Sequence, residues 1–139
     1  MRILLLNGPN LGTLGRREPE IYGSMTLTEI VEAARAHALE RGSLLEDFQS
    51  NHEGALIDRL EVLDYDAVVA NLGALSHTSY ALHDALRGCG RPVVEVHISD
   101  ISAREPWRAV SVTAPATQHQ VIGHGWRGYL EAIDWLLDH

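Results

Sequence analysis

The chain contains no lysine: the eleven residues in its Lys-plus-Arg total are all arginine. A protein without lysine cannot form a Schiff base through a side-chain amine. It cannot build a Walker-type phosphate loop, and it has no lysine to set beside a phospho-aspartate. An anionic ligand must be met by arginine, backbone N–H groups or neutral polar side chains. Cysteine is almost absent. Cys89 is single, which excludes an internal disulfide and a thiolate metal cluster and suits a reducing cytoplasm, the expected location. The His83–Asp84 pair and the His119…His124 spacing match no recognised ligand pattern, so no metal site is expected. Long apolar runs are missing as well. Nothing approaches the roughly 18 residues of a membrane span, and the opening "MRILLLNGPN" runs from an apolar stretch into a Gly/Pro turn, as a first strand does and a signal peptide does not. Positive charge is short: a net charge of −8 argues against nucleic acid or an anionic membrane as partner.

What is present is 139 residues, 45% hydrophobic and 22% charged. That is ordinary for one globular domain able to bury roughly 68% of its unfolded surface. Without linker, repeat or low-complexity segment, residues 1–139 read as a single domain. Strand and helix signals alternate. "RILLLN" is a continuous apolar run ended by "GPNLG", as in a buried parallel strand. Thr26 and Glu29 are spaced as a capping box. Leu27, Ile30, Val31, Ala34 and Ala38 then repeat at helical spacing until Gly42. "LLEDFQS" is a weaker strand. "EGALIDRLEVLDY" is a helix with Leu56, Ile57, Leu60 and Leu63 on one side. "AVVAN" is a strand, "TSYALHDALRG" a helix, "RPVVEVHI" a strand, "AVSVTA" the expected fifth strand and "GWRGYLEAIDWLLDH" a final helix. This alternation predicts an α/β, flavodoxin-like, doubly wound five-stranded parallel sheet in order 2-1-3-4-5 with helices on both faces.

Such sheets bind ligands beyond the carboxyl ends of their strands, where strand order reverses. That singles out "NGPNLG", "NLGALSHTS" and "HISDISARE". The first leads into "GRREPEIYGS", too rich in glycine, proline and charge for a helix or core strand, and so a loop. Its Arg16 and Arg17 admit two readings. They pair with Glu18 and Glu20, or Arg17 stands beside Tyr22 and stabilises its phenolate, making a general base available near neutral pH. In the second loop Asn71, His77, Thr78 and Ser79 read either as a turn ending in a helix N-cap or as ligand contacts. In the third, His97 ends a strand and packs, with Arg104 and Arg108 covering a helix start. Alternatively, the N–H groups of Ile98 and Ser99 cradle a carboxylate under an arginine. Cys89 reads as a buried, inert thiol, and Trp126, Tyr129 and Trp135 as packing or subunit-contact residues.

With these segments assembled, the chain resembles the type II 3-dehydroquinate dehydratases. The likeness runs in register through "LLLNGPNLGTLGRREPEIYG", "QSNHEGALID", "NLGALSHTSYALHDAL", "VEVHISDISARE" and "GYLEAIDWLL", essentially the whole chain. The resemblance implies loss of water from 3-dehydroquinate through an enolate, without metal, cofactor or Schiff base, in agreement with the missing lysine. It further implies that Tyr22 is the proton acceptor and His97 the proton donor, with Glu95 orienting it. Arg17 would hold the phenolate and order a lid, and Asn10 would stabilise the enolate. Asn71, His77, Ile98, Ser99 and Arg108 would bind the small anionic substrate. Asp84 would reach in from a neighbouring subunit of a homo-dodecamer built from four trimers. The chain departs from the family at Asp100, Ile101 and Ser102, where Asn, a variable residue and His are usual, and at Ala55, where Glu is usual. Asp100 would place a negative charge near the carboxylate site, to be offset by Arg104 or Arg108. A flavodoxin-like binding module for FMN or another anion accounts for the fold and loops but not for an arginine–tyrosine pair combined with two histidines. A receiver domain lacks both its acidic pair and its lysine.

Overall fold

The computed structural model describes residues 1–139. Five strands form one parallel sheet: β1 (Arg2–Asn7), β2 (Leu44–Gln49), β3 (Ala67–Asn71), β4 (Val93–His97) and β5 (His119–Ile122). Their order is β2-β1-β3-β4-β5, the expected doubly wound topology. Successive strand side chains point to opposite faces, and both faces are apolar. Ile3, Leu5, Val69, Val94 and Val96 pack on one face against helices α2 (Leu27–Glu40) and α5 (Gly128–Asp138). Leu4, Leu6, Val68, Ala70 and Val93 pack on the other against α3 (Glu53–Glu61) and α4 (Tyr80–Gly88). Burial on two faces explains why "RILLLN" and "AVVAN" read as unbroken apolar runs; each fully buried Leu or Val is worth about 1.5–3 kcal/mol.

Local signals set the helix boundaries. The Thr26 hydroxyl accepts from the Glu29 N–H at 3.2 Å, and a Glu29 carboxylate oxygen accepts from the Thr26 N–H at 3.0 Å. This capping box satisfies two orphan donors of α2 and is worth about 1 kcal/mol. The Ser79 hydroxyl caps α4 by accepting from the Leu82 N–H at 2.9 Å. Where β1 and β3 end, the backbones nearly touch. A Cβ on Gly8 would lie 2.4 Å from the Leu72 carbonyl oxygen, so only glycine fits. That approach brings the first two candidate loops into one cleft.

Three expectations need correction. "AVSVTA" is not a strand. The Ser111 and Thr113 hydroxyls of this segment donate to the Glu95 carboxylate, and its carbonyls at Val110 and Val112 accept from His77 Nδ1 and His83 Nδ1. These bonds to side chains, with the Val112 N–H donating to the Ser76 carbonyl, take the place of a strand ladder, and the fifth strand is His119–Ile122 instead. The third helix stops at Glu61, and Leu63 turns into a left-handed conformation (φ 56°), 46% exposed, rather than joining the apolar face. Finally, "GRREPEIYGS" is not loop throughout: Pro19–Tyr22 makes a single helical turn, α1. Proline opens it at the first position, where its missing N–H costs nothing.

Candidate active site

A pocket opens beyond the carboxyl ends of β1, β3 and β4. Its lining includes Asn10, Arg17 and Tyr22 from the first connection; Asn71 and His77 from the second; and His97, Ile98, Ser99, Arg104 and Arg108 from the third. Of the residues that the family resemblance assigns to catalysis or substrate binding, only Asp84 lies elsewhere; Thr78 and Ser79, the other candidate contacts of the second loop, do not line the pocket either. Asp84 sits exposed on α4, beside a groove it shares with Ile57, Leu60 and Leu63.

One wall is the segment Gly15–Ser24. Arg17 lies with its guanidinium carbon 4.8 Å from the centre of the Tyr22 ring, a cation–π contact. The hydroxyl of Tyr22 meets a different arginine: Arg104 Nη1 donates to it at 2.5 Å and reaches Ser99 Oγ at 3.3 Å. From sequence, Arg104 reads as a cover for a helix start, as an arginine closing over a carboxylate or as a partner for Asp100, but not as a partner for Tyr22. No local signal marked it, since 82 residues separate it from Tyr22. Neither Arg16 nor Arg17 pairs with a glutamate as one reading had it. Glu18 lies 3.8 Å from Arg104, and Arg16 is exposed. Asn10 takes a left-handed backbone (φ 69°), a conformation asparagine tolerates, and its N–H donates to Asn51 Oδ1 at 3.0 Å.

The floor is built differently. Asn71 is buried at the end of β3. Its Nδ2 donates to the Tyr129 hydroxyl at 2.8 Å, that hydroxyl donates to Asn7 Oδ1 at 2.7 Å, and Asn71 Oδ1 accepts from the Gly73 N–H at 3.2 Å. Tyr129 is therefore more than packing. It joins the ends of β1 and β3 beneath the pocket, and burial pushes its phenol well above the ordinary range. His97 Nε2 lies 2.9 Å from Glu95 Oε2. An ionised carboxylate only accepts, so Nε2 carries a hydrogen and Nδ1 is left as the nitrogen free for a ligand. Glu95 is fully buried. Burial pushes its carboxyl up, but bonds from His97, Thr113 and Ser111 outweigh that and hold it below the usual range. His77 stacks on His97 with ring centroids 6.0 Å apart, and its Nδ1 donates to the Val110 carbonyl at 2.7 Å. Burial, with His97 and Arg108 nearby, pushes His77 down, so it stays neutral and presents Nε2 as an acceptor. Arg108 lies over the Trp107 ring at 4.1 Å and pairs with Glu105.

Asp100 does not face the pocket arginines as expected. It is exposed, and its Oδ1 accepts from the Ser102 N–H and hydroxyl at 3.1 and 2.7 Å, capping the turn Ile101–Ala103. Neither Arg104 nor Arg108 is spent on neutralising it. The unusual Asp100 and Ser102 thus satisfy each other.

A doubly wound sheet of this order, with arginines, a tyrosine and a carboxylate-backed histidine around one cleft at its switch point, defines a flavodoxin-like α/β protein with the side chains of an enzyme site. The particular family follows from direct comparison. The family model described as dehydroquinase class II matches residues 1–137. Among curated proteins, the 3-dehydroquinate dehydratase of Roseiflexus castenholzii is 52% identical over 139 residues, covering 99% of this chain and 88% of that one. The catabolic 3-dehydroquinase 1 of Aspergillus terreus is 49% identical over 134 residues, covering 95% and 88%. The crystal structure of the type II dehydroquinase from Butyrivibrio crossotus superposes with a TM-score of 0.97 at 42% identity, covering 99% and 97%. The chain belongs to the class II dehydroquinase family, and so to the hydro-lyases.

Proposed function

We propose that this chain dehydrates 3-dehydroquinate to 3-dehydroshikimate through an enolate. The carrying observation is that one pocket holds a tyrosine hydroxyl bonded to Arg104 at 2.5 Å and a histidine backed by a buried carboxylate at 2.9 Å. A proton alpha to a ketone is weakly acidic, so its removal needs a strong base and donors ready for the developing oxyanion. Tyr22, as phenolate between Arg17 and Arg104, takes that proton. Asn10 helps hold the enolate oxygen. The enolate then collapses, the C–O bond breaks, and the departing hydroxyl leaves as water with a proton from His97. Asn71, His77, Ser99, the backbone at Ile98 and Arg108 hold the carboxylate and ring hydroxyls. No step calls for an imine, a metal or another cofactor.

Asp84 belongs to a second part of this reading. It lies outside the pocket of its own chain, and we propose that it enters a neighbour's pocket within a homo-dodecamer of four trimers. No helix is long and apolar enough to cross a membrane, and a cytoplasmic setting is proposed. Both aromatic biosynthesis and quinate breakdown use this step. The test is conversion of 3-dehydroquinate to the conjugated enone, followed by ultraviolet absorbance without added metal, on wild type and Tyr22→Phe together. Enone formation by wild type alone is expected, as is survival of activity when borohydride and substrate are added together. Full activity of Tyr22→Phe would remove the base assignment. Inactivation by borohydride would remove the enolate route.

A further inference from the structure

Glu95 occupies an unusual position in this core. Its neighbours on the same face of β4 include Val93, and it is fully buried, yet it is ionised. Four donors converge on its carboxylate. His97 Nε2, Ser111 Oγ and Gln120 Nε2 donate to Oε2 at 2.9, 2.7 and 2.8 Å, and the Thr113 hydroxyl donates to Oε1. Only the first of these is a partner the chemistry requires. The other three come from two separate places: the irregular segment 109–114, and β5, where Gln120 is the register partner of Glu95. The Ser111 hydroxyl is further fixed by accepting from the Ala114 N–H at 3.1 Å. Around the Glu95–His97 pair, the titratable and charged groups are His77 from the β3–α4 connection and Arg17, Tyr22, Arg104 and Arg108 across the pocket. Segment 109–114 and β5 contribute only neutral donors to the carboxylate.

Resting on the dehydratase reading, we propose that Ser111, Thr113 and Gln120 are positioning residues for the reaction: their donors keep Glu95 an anion and so set how readily His97 gives up its proton. A hydrogen bond to a carboxylate stabilises its charged form. Each donor, Ser111 and Gln120 at Oε2 and Thr113 at Oε1, therefore drains negative charge from the carboxylate and weakens its hold on the imidazolium. Removing one makes the Glu95–His97 pair bind its proton more tightly, and a more tightly held proton is transferred less well to a leaving hydroxyl. In the step itself, the His97 imidazolium gives its Nδ1 proton to the departing oxygen as the C–O bond breaks, and the hydrogen on Nε2 stays on that nitrogen, donated to the Glu95 carboxylate.

The test is Thr113→Val, which keeps shape and deletes the hydroxyl, beside Gln120→Leu and the rescue variant Thr113→Ser. Thr113→Val is expected to lower kcat about tenfold, the rate equivalent of one such hydrogen bond. KM should stay within about twofold, and the alkaline limb of the kcat–pH profile should move to higher pH, while Thr113→Ser returns both toward wild type. A structural lesion would lower kcat without moving that limb, and this result, or no change at all, overturns the proposal. Gln120→Leu repeats the measurement from β5 should Thr113→Val not fold. Imidazole nitrogen NMR on ligand-free protein separates this idea from the dehydratase reading. If wild type makes no enone, that reading fails, but the titration of the His97 ring still rises in pH in both variants if the cage acts as argued. An unmoved titration sinks it.

Discussion

The two sides of the pocket hold their charges in opposite ways. The segment Gly15–Ser24, which we propose acts as a lid, is mostly exposed and has one helical turn, and Tyr22 relies on one hydrogen bond from Arg104 and two cation–π contacts, at 4.8 and 5.1 Å. In the floor, Glu95, His97 and Thr113 are buried, Ser111 and Gln120 are half-buried, and Glu95 is fully bonded. A segment with few buried contacts opens at little cost, whereas a bonded charge in the core opens only when the fold does. The proposed base thus rides on the part able to close over a ligand, and the proposed acid is set in the part that cannot shift. Closing such a lid excludes water and strengthens every charge interaction inside.

That contrast can be broken by separating rate from stability. Tyr22→Phe is expected to lower kcat by about 10²–10⁴-fold, the usual worth of a placed acid or base, with the melting temperature unchanged. A large loss of stability would mean that the lid is part of the core. Glu95→Leu should do the reverse in emphasis. It strands the Ser111, Thr113 and Gln120 donors and should cost about 3 kcal/mol in denaturant unfolding, as well as activity; a neutral result would show the floor to be as dispensable to folding as the lid.

Smaller effects sharpen the lid itself. Arg17→Ala and Arg104→Ala are each expected to lower kcat at least about tenfold, and the double variant by less than the product, because both cations serve one phenol. Strict multiplicativity in steady-state kinetics would assign them to separate tasks. Stability against pH probes the floor. The Glu95 carboxyl is held below its usual range when folded, so its contribution is present above the ordinary carboxylate value of about 4 and is lost as pH falls through the lower folded value. Thermal melts of wild type should therefore fall more steeply below about pH 4 than those of Glu95→Gln. At the small end, Arg16→Ala should leave kcat and KM within about twofold, since an exposed side chain without an ion pair contributes little; a tenfold loss would bring Arg16 into the site.

Much of this was legible along the chain. Every strand buried on two faces announced itself as an apolar run, and the α2 capping box was readable from Thr26 and Glu29. The pocket residues stood in three short segments that the topology had to bring to one edge. What stayed hidden depended on partners distant in sequence. "AVSVTA" has the β-branched residues of a strand, but Ser111 and Thr113 face Glu95, and a local pattern carries no record of that distant carboxylate. β5 was missed because His119 and Gln120 break the apolar run, Gln120 being polar for the sake of the same Glu95. Arg104 looked like one more loop arginine until the fold set it against Tyr22.

The sequence by itself determined four of the five strands, the doubly wound order and the segments at the ligand edge, because periodicity, caps and turns are short-range and add up to one topology. It also excluded lysine chemistry outright. Only the tertiary structure decided which arginine touches the Tyr22 hydroxyl, that Asp100 turns to Ser102 rather than to the pocket, and that Glu95 has four donors. Those are choices among chemically equivalent partners, and the choice is made by a few ångströms of packing that no local pattern encodes.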